Sequence, residues 1–293
     1  MNGFLLINKP PGITSFEVVK RVRKLSKEKR VGHMGTLDPR ACGLLIIGLG
    51  KYLRLEEYLL KLPKTYIVEV LFGVSSDTYD RESYRFFYDK EEKIVDIEIL
   101  KETLKKHFTG EIEQTPPPYS AVHIEGERAY NLARKNISVS LPKRKVTIYE
   151  SEILNFDKTR NAVLIKFKVS SGTYIRSLVH DIGEKLNTKT LVSFLVRTDI
   201  GHLSVNDSIP YNKLKEEIAK KILSPLEVLD FPIYKTSEEE EKKILNGNAI
   251  EAKLPIIESP YISIINSQGR FIAVGKVSGN IVKPEKVFPQ NEV

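Results

Sequence analysis

A mixed α/β (α+β) domain followed by a smaller β-rich one is the fold class this sequence predicts, and three observations predict it. Apolar runs of strand length recur between segments that carry a helical apolar stripe. Glycines and prolines punctuate those runs. Past about Asp230 the texture changes to short β runs separated by Gly and Asn turns. With 293 residues the chain can bury a substantial core, as one large domain or a large one with a small appendage.

The first element is "FLLI", residues 4 to 7, a short buried strand stopped by "NKPPG". A helix should follow it. Thr14 and Glu17 have capping-box spacing, and Val18, Val19, Val22 and Leu25 make an apolar stripe opposite Lys20, Arg21, Arg23, Lys24 and Lys27. "GLLIIGLG" and "KTYIVEVLFG" then read as strands, the second with partial period-two alternation. Residues 97 to 107 predict a helix. "EQTPPPYSAVHIEGERAYNLARKN" begins as a proline-stiffened loop and passes into a short helix. "KVTIYESEIL" is a strand, and "AVLIKFKVSSGTYIRSLVHDIGEKL" a strand that turns at Gly172 into a helix. Prolines 225 and 232, an acidic cluster, and the runs "PYISIIN" and "RFIAVGKV" complete the chain. These readings divide it into residues 1–230 and 231–293.

The net charge of +8 is concentrated at one end. Residues 1 to 64 hold 13 Lys or Arg against 5 Asp or Glu, a surplus equal to that of the whole chain. Such a surface suits a polyanion, although a basic helix face can also serve solubility alone. The single cysteine, Cys42, allows no internal disulfide, and with five scattered histidines it makes no zinc pattern. Neither a signal-peptide core nor a membrane-length apolar stretch is present, so a soluble cytoplasmic protein is expected. "GLLIIGLGK" fails as a phosphate loop because Leu49 and Gly50 precede the lysine. Metalloprotease, serine-hydrolase and zinc-deaminase signatures are missing too.

What remains is polar residues in separate, glycine-punctuated loops. "RVGHMGTLDPRACGLL" places one carboxylate, Asp38, among glycine, threonine, proline and arginines. Tyr66 begins the next strand, and Tyr174 and Arg176 follow the Ser-Gly turn of "SSGTYIRS". Taken as residue types, a lone Asp beside Thr-Leu and Pro is most often a turn residue or helix cap, and tyrosines are most often core aromatics.

"GHMGTLDPRACGLL", "NKPPGITSFEVV", "KTYIVEVLFGVSSDTYD", "TPPPYSAVHIEGERAYNLAR" and "SSGTYIRSLVHDIGEKL" resemble, in spacing, motifs of the bacterial tRNA pseudouridine synthase B family. The resemblance covers about residues 1 to 230, and the last 60 residues are similar to that family's small PUA-like RNA-binding domain. It implies a pseudouridine synthase fold built on a largely antiparallel central sheet. It further implies conversion of uridine 55 in the TΨC arm of tRNA, without metal or cofactor, by a monomer needing no obligatory protein partner. Asp38 would be the catalytic aspartate, Tyr66 the aromatic on the target uracil, and Tyr174 and Arg176 the groups organising the aspartate. His33 would fill the space left by the extruded nucleotide, Leu195 would line the base pocket, and Lys9 would lie behind the site in the substrate-binding set. Met34, Arg40, Cys42, His123 and Val196 depart from the usual family pattern, and none is a reacting group. Two other readings use the same scaffold: a catalytically silent RNA-binding or tRNA-folding protein, and the catalytic subunit of a guide-RNA particle.

Overall fold

The computed structural model describes residues 1–91, 93–120, 123–124, 127–128, 141–252 and 259–289. Its centre is a ten-stranded sheet built from β1 (Gly3–Lys9), β2 (Val31–His33), β3 (Cys42–Leu49), β4 (Lys64–Phe72), β5 (Gly110–Gln114), β6 (Arg144–Asp157), β7 (Ala162–Val169), β8 (Thr190–Ile200), β9 (Leu203–Ser204) and β10 (Ile209–Pro210). The order along the sheet is β10, β1, β3, β8, β4, β7, β6, β5, with β2 on β3 and β9 on β8. Only the β1–β10 and β3–β8 pairings are parallel, so the sheet is largely antiparallel, as expected.

Helix α1 (Ser15–Ser26) carries the expected capping box: Glu17 N donates to Thr14 Oγ1 at 3.1 Å, and Thr14 N to Glu17 Oε2 at 2.6 Å. These bonds satisfy backbone donors that a helix start leaves open. Val18, Val19 and Val22 then bury against Leu5, Ile7, Leu45 and Ile47 of the sheet. Helices α2 (Ile97–His107) and α3 (Ile175–Leu186) cover another part of the sheet, over a core containing Val68, Val70, Ile165 and Phe167. Gly172, at φ +81°, makes the turn that sends the chain from β7 into α3, a conformation costly for residues with a Cβ.

The sequence reading left β8 out, yet β8 is central, joining β3 to β4. Its simple alternation is broken by bulges between Val192 and Phe194 and between Arg197 and Asp199. It also buries Arg197, a residue type ordinarily read as exposed. Within "EQTPPPYSAVHIEGERAYNLARKN", Glu127–Arg128 pairs as a short strand with His123–Ile124, and residues 129–136, where the expected short helix would fall, lie outside the described residues.

A second sheet, of strands Ile233–Lys235, Tyr261–Ile265, Phe271–Ser278, Ile281–Val287 and Ile250–Glu251, occupies the C-terminal part. The acidic cluster there forms α4 (Glu238–Leu245), whose first turn is entirely glutamate, the favoured charge at a helix N-terminus. This part has a core of its own around Ile244, Ile262 and Ile264. It also shares one with the larger sheet, where Tyr52 packs on Phe271 and Phe288 and Tyr58 on Phe231 and Tyr261. Among the described residues no helix is long and apolar enough to cross a membrane.

Candidate active site

The loop between β2 and β3 is tied down from three sides, and Asp38 is its tip. From the "NKPPG" turn, Lys9 Nζ donates to the carbonyls of Pro10, Ile13 and Pro39 at 3.1, 2.8 and 3.1 Å, and Gly12 N reaches Pro39 O at 2.8 Å. From α1, Ser15 Oγ accepts from Leu37 N at 2.9 Å and donates to Leu37 O at 3.1 Å. From β8, Arg197 donates to the carbonyls of Leu44, Thr36 and Gly35 at 2.8, 3.2 and 3.2 Å. Gly43, at φ +102°, lets β3 approach Arg197 so closely that any Cβ there would collide with its backbone. A buried cation without partners is costly, so Lys9 and Arg197 are stable only while these carbonyls surround them.

Arg176, on the first turn of α3, is the hub of the site. Its Nε donates to Asp38 Oδ2 at 2.9 Å and one terminal nitrogen to Asp38 Oδ1 at 3.3 Å, a two-pronged pair that fixes the carboxylate in one plane. The other contacts run to Thr78 O and Tyr119 O, both at 3.1 Å. A second carboxylate, Asp80, lies 3.6 Å from the same Nε. Beside these two acids Glu82 is pushed above its ordinary pKa, chiefly by burial and then by the charges of Asp80 and Asp38. The cleft in front has a volume of about 210 Å³, with Pro11, Ala41, Phe194 and Leu195 among its apolar walls and Arg40 and Arg81 at its polar ones.

The remaining expected residues fall at different distances from this centre. Leu195 lines the cleft as expected. Tyr66 stands on β4 between Phe167 and Arg197 of the adjoining strands, half-buried against the core that includes Leu37, Ala41 and Leu195. His33 ends β2, half-buried, with Nδ1 unpaired among the described residues, and burial lowers its pKa. Tyr174 is the N-cap of α3. Its backbone exchanges bonds with the Gln114 side chain at 2.8 and 3.0 Å, and its ring lies 5.2 Å from the Arg144 guanidinium. Lys9 is fully buried and its ammonium donates to three carbonyls, so it holds the loop.

Two residues the sequence reading passed over complete the frame. Arg197 gave no signal, because a single arginine in an apolar run reads as a solvent-facing interruption. Asp80 was visible in "SSDTYD" but carried no role. Its Oδ1 accepts from Thr78 Oγ1 at 2.7 Å and Glu82 N at 2.8 Å.

Solved structures share this fold. The chain superposes on one from an H/ACA RNP bound to a substrate RNA containing 2′-deoxyuridine, with TM-score 0.73, 24% identity, and coverage of 99% of this chain and 86% of the other. A Cbf5-Nop10-Gar1 complex gives TM-score 0.71 at 25% identity, covering 97% and 84%. The model of the TruB family pseudouridylate synthase N-terminal domain matches residues 23–175. "tRNA pseudouridine synthase B" of Caldanaerobacter subterraneus is 37% identical over 289 residues, 98% of this chain and 99% of its own length. That of Aquifex aeolicus is 38% identical over 291 residues, covering 98% and 100%. The chain belongs to the TruB family of pseudouridylate synthases.

Proposed function

We propose that this protein converts uridine 55 in the TΨC arm of tRNA to pseudouridine, with Asp38 as its catalytic residue. The observation that carries the reading is the Asp38 carboxylate, clamped by Arg176 along one side and about one-third exposed to an apolar-walled cleft. Isomerising a nucleoside to its C-glycoside breaks the C1′–N1 bond, turns the uracil, joins C5 to C1′, releases the C5 proton and leaves N1 carrying a proton in its place. Atoms and electrons balance without an oxidant or an activated phosphate. One carboxylate serves either as nucleophile at C1′ or as the base that takes a C2′ proton.

The other groups take the roles that the family resemblance gives them. Unstacking the target base costs about a few kcal/mol, and stacking on an aromatic face offsets it. Tyr66 supplies that face and Leu195 an apolar wall, while His33 fills the gap in the RNA. Residues 1–230 form the catalytic part and 231–293 a PUA-like part that lengthens the RNA contact. The protein acts as a cytoplasmic monomer.

Phosphate contacts fall on α1 in this reading. Lys143 and Lys145 are paired with Glu113 and Glu111 at 3.6 and 2.8 Å, which leaves their strand little free positive charge. On α1, Lys20 lies over the Phe16 ring and Arg21 over Tyr211, with no carboxylate in ion-pair reach among the described residues. Incubation with unmodified tRNA tritiated at C5 of uridine tests the proposal. Tritium release with pseudouridine mapped at position 55 is expected. Binding without release would identify a silent RNA-binding protein, and release with pseudouridine elsewhere would overturn the assigned position.

A further inference from the structure

Around Asp80 the chain makes a small two-stranded hairpin, Val74–Ser76 against Phe86–Tyr88, that forms a sheet of its own, with Asp80 in the connection between its strands. Four large aromatics crowd into five residues, and none is covered: Tyr84 is fully exposed, Tyr88 70%, Phe87 50% and Phe86 40%. Successive strand residues point to opposite faces, so Phe87 and its two neighbours leave both faces of the hairpin aromatic. Isolated exposed apolar residues are ordinary, but a contiguous aromatic patch signals a partner.

The hairpin is held in place rather than loosely attached. Asp89 N closes it onto Gly73 O at 2.9 Å, Ser76 Oγ donates to Asp80 O at 2.6 Å, and Arg85 N donates to Ser83 Oγ at 2.8 Å. Its base is held by Gly73 N donating to Lys189 O at 2.8 Å, and its connecting loop by Val192 N of β8 donating to Tyr79 O at 2.9 Å. The patch is also continuous with the cleft. Arg81, between Asp80 and the aromatics, lines the cleft that holds Asp38, as does Phe194, itself 45% exposed.

Charge decides which partner fits. Three acids of this segment already face cations or donors, Asp80 on Arg176, Glu82 on Arg40 and Asp89 on Thr188 and Lys189, whereas Asp77 accepts only from the Ser83 hydroxyl and Glu91 has no cation in ion-pair reach among the described residues. Arg81, Arg85 and Lys90 have no carboxylate within ion-pair distance among the described residues. Aromatic faces alternating with unneutralised cations suit unpaired nucleotides, whose bases stack and whose phosphates need positive charge.

We propose that the Tyr84–Tyr88 hairpin is a second RNA contact, a platform on which unpaired bases next to the target uridine stack. This rests on the reading that the Asp38 cleft receives a uridine from RNA. The test uses the full-length protein with Tyr84→Ala and Tyr88→Ala together, both on the exposed surface. Equilibrium binding is measured on a TΨC stem-loop and on the same RNA with abasic sites replacing the unpaired nucleotides beside the target. Stacking of one base is worth about tenfold in affinity or more. The variant should bind the intact stem-loop about tenfold more weakly, keep its kcat at saturating RNA, and lose nothing further on the abasic RNA. The aromatic replacements Tyr84→Phe and Tyr88→Phe should restore binding. Unchanged affinity, or losses that simply add across variant and abasic RNA, would overturn the proposal. So would a wild-type dimer in sedimentation that the variant abolishes, since the patch would then join two copies. Because the readout is binding, failure of the stacking platform is distinguished from failure of Asp38 chemistry, which is read by tritium release.

Discussion

Two carboxylates share one guanidinium in this protein, and their surroundings give them different work. Asp38 meets Arg176 with both oxygens and leaves 37% of its side chain open to the cleft. Asp80 leaves only 8% exposed, and its oxygens are occupied by Thr78, the Glu82 amide and the edge of the same arginine. The charge is the same in both. What differs is access, since Asp38 opens to the cleft and Asp80 is almost wholly buried. Asp80 acts through Arg176 and is a positioning residue.

Replacing each acid by its amide separates the two most sharply. Asp38→Asn keeps the shape but removes both the nucleophile and the base, so turnover should fall by about 10⁴-fold or more. Binding of tRNA should stay within about tenfold, because phosphate contacts dominate affinity. Tritium release at the normal rate would show that Asp38 only shapes the turn. Arg176→Lys should cost about 100-fold in single-turnover rate, since an ammonium cannot match the two-pronged pair and also reach Thr78 and Tyr119. Asp80→Asn should cost only about tenfold in kcat, because an amide oxygen can still accept from Thr78 and Glu82 while the charge facing Arg176 is lost. If Asp80→Asn proved as damaging as Asp38→Asn, the division between reactive and positioning carboxylate would fail.

The same contrast explains how much could be read from the chain. Asp38 stood out as a lone carboxylate in a glycine-punctuated loop, but its role came from the resemblance of that loop to a family motif, whereas α1 was legible because its cap and stripe are local patterns. Gly172 and the turn into α3 followed from one short motif. The frame around the site was not legible in the same way. Arg197 and Lys9 look like surface cations until the fold surrounds them with carbonyls contributed by other segments, up to 162 residues away in sequence for Arg197. Strand β8 was hidden for a related reason, since its two bulges and its buried arginine break the alternation that announces a strand. Tyr174 shows the opposite limit, where a motif position was found but its neighbour in space, Arg144, was not. Local patterns reveal what a loop displays, whereas what holds the loop depends on long-range contacts.

Lys9 offers the mildest perturbation of that support. Burial lowers its pKa from 10.5 to about 8, and Lys64, bonded to Leu60 and Leu62 carbonyls, is lowered likewise to about 8. Above pH of about 8 the folded protein has released these protons, while the unfolded chain holds them until about 10.4. The unfolded state therefore binds more protons in this window, and stability should rise with pH through it. The half-buried Cys42 thiol works in the other direction within this window, and Tyr52 and Tyr58 do so from about pH 10, since all three have raised pKa values and keep the folded state protonated. The rise should therefore be clearest between about pH 8 and 10. Urea unfolding midpoints across that range should climb for the wild type and climb less for Lys9→Met. The variant should also lower kcat while leaving the RNA dissociation constant nearly unchanged, because Lys9 touches the Pro39 carbonyl beside Asp38. A loss confined to RNA affinity, with kcat intact, would instead put Lys9 on the substrate-binding face.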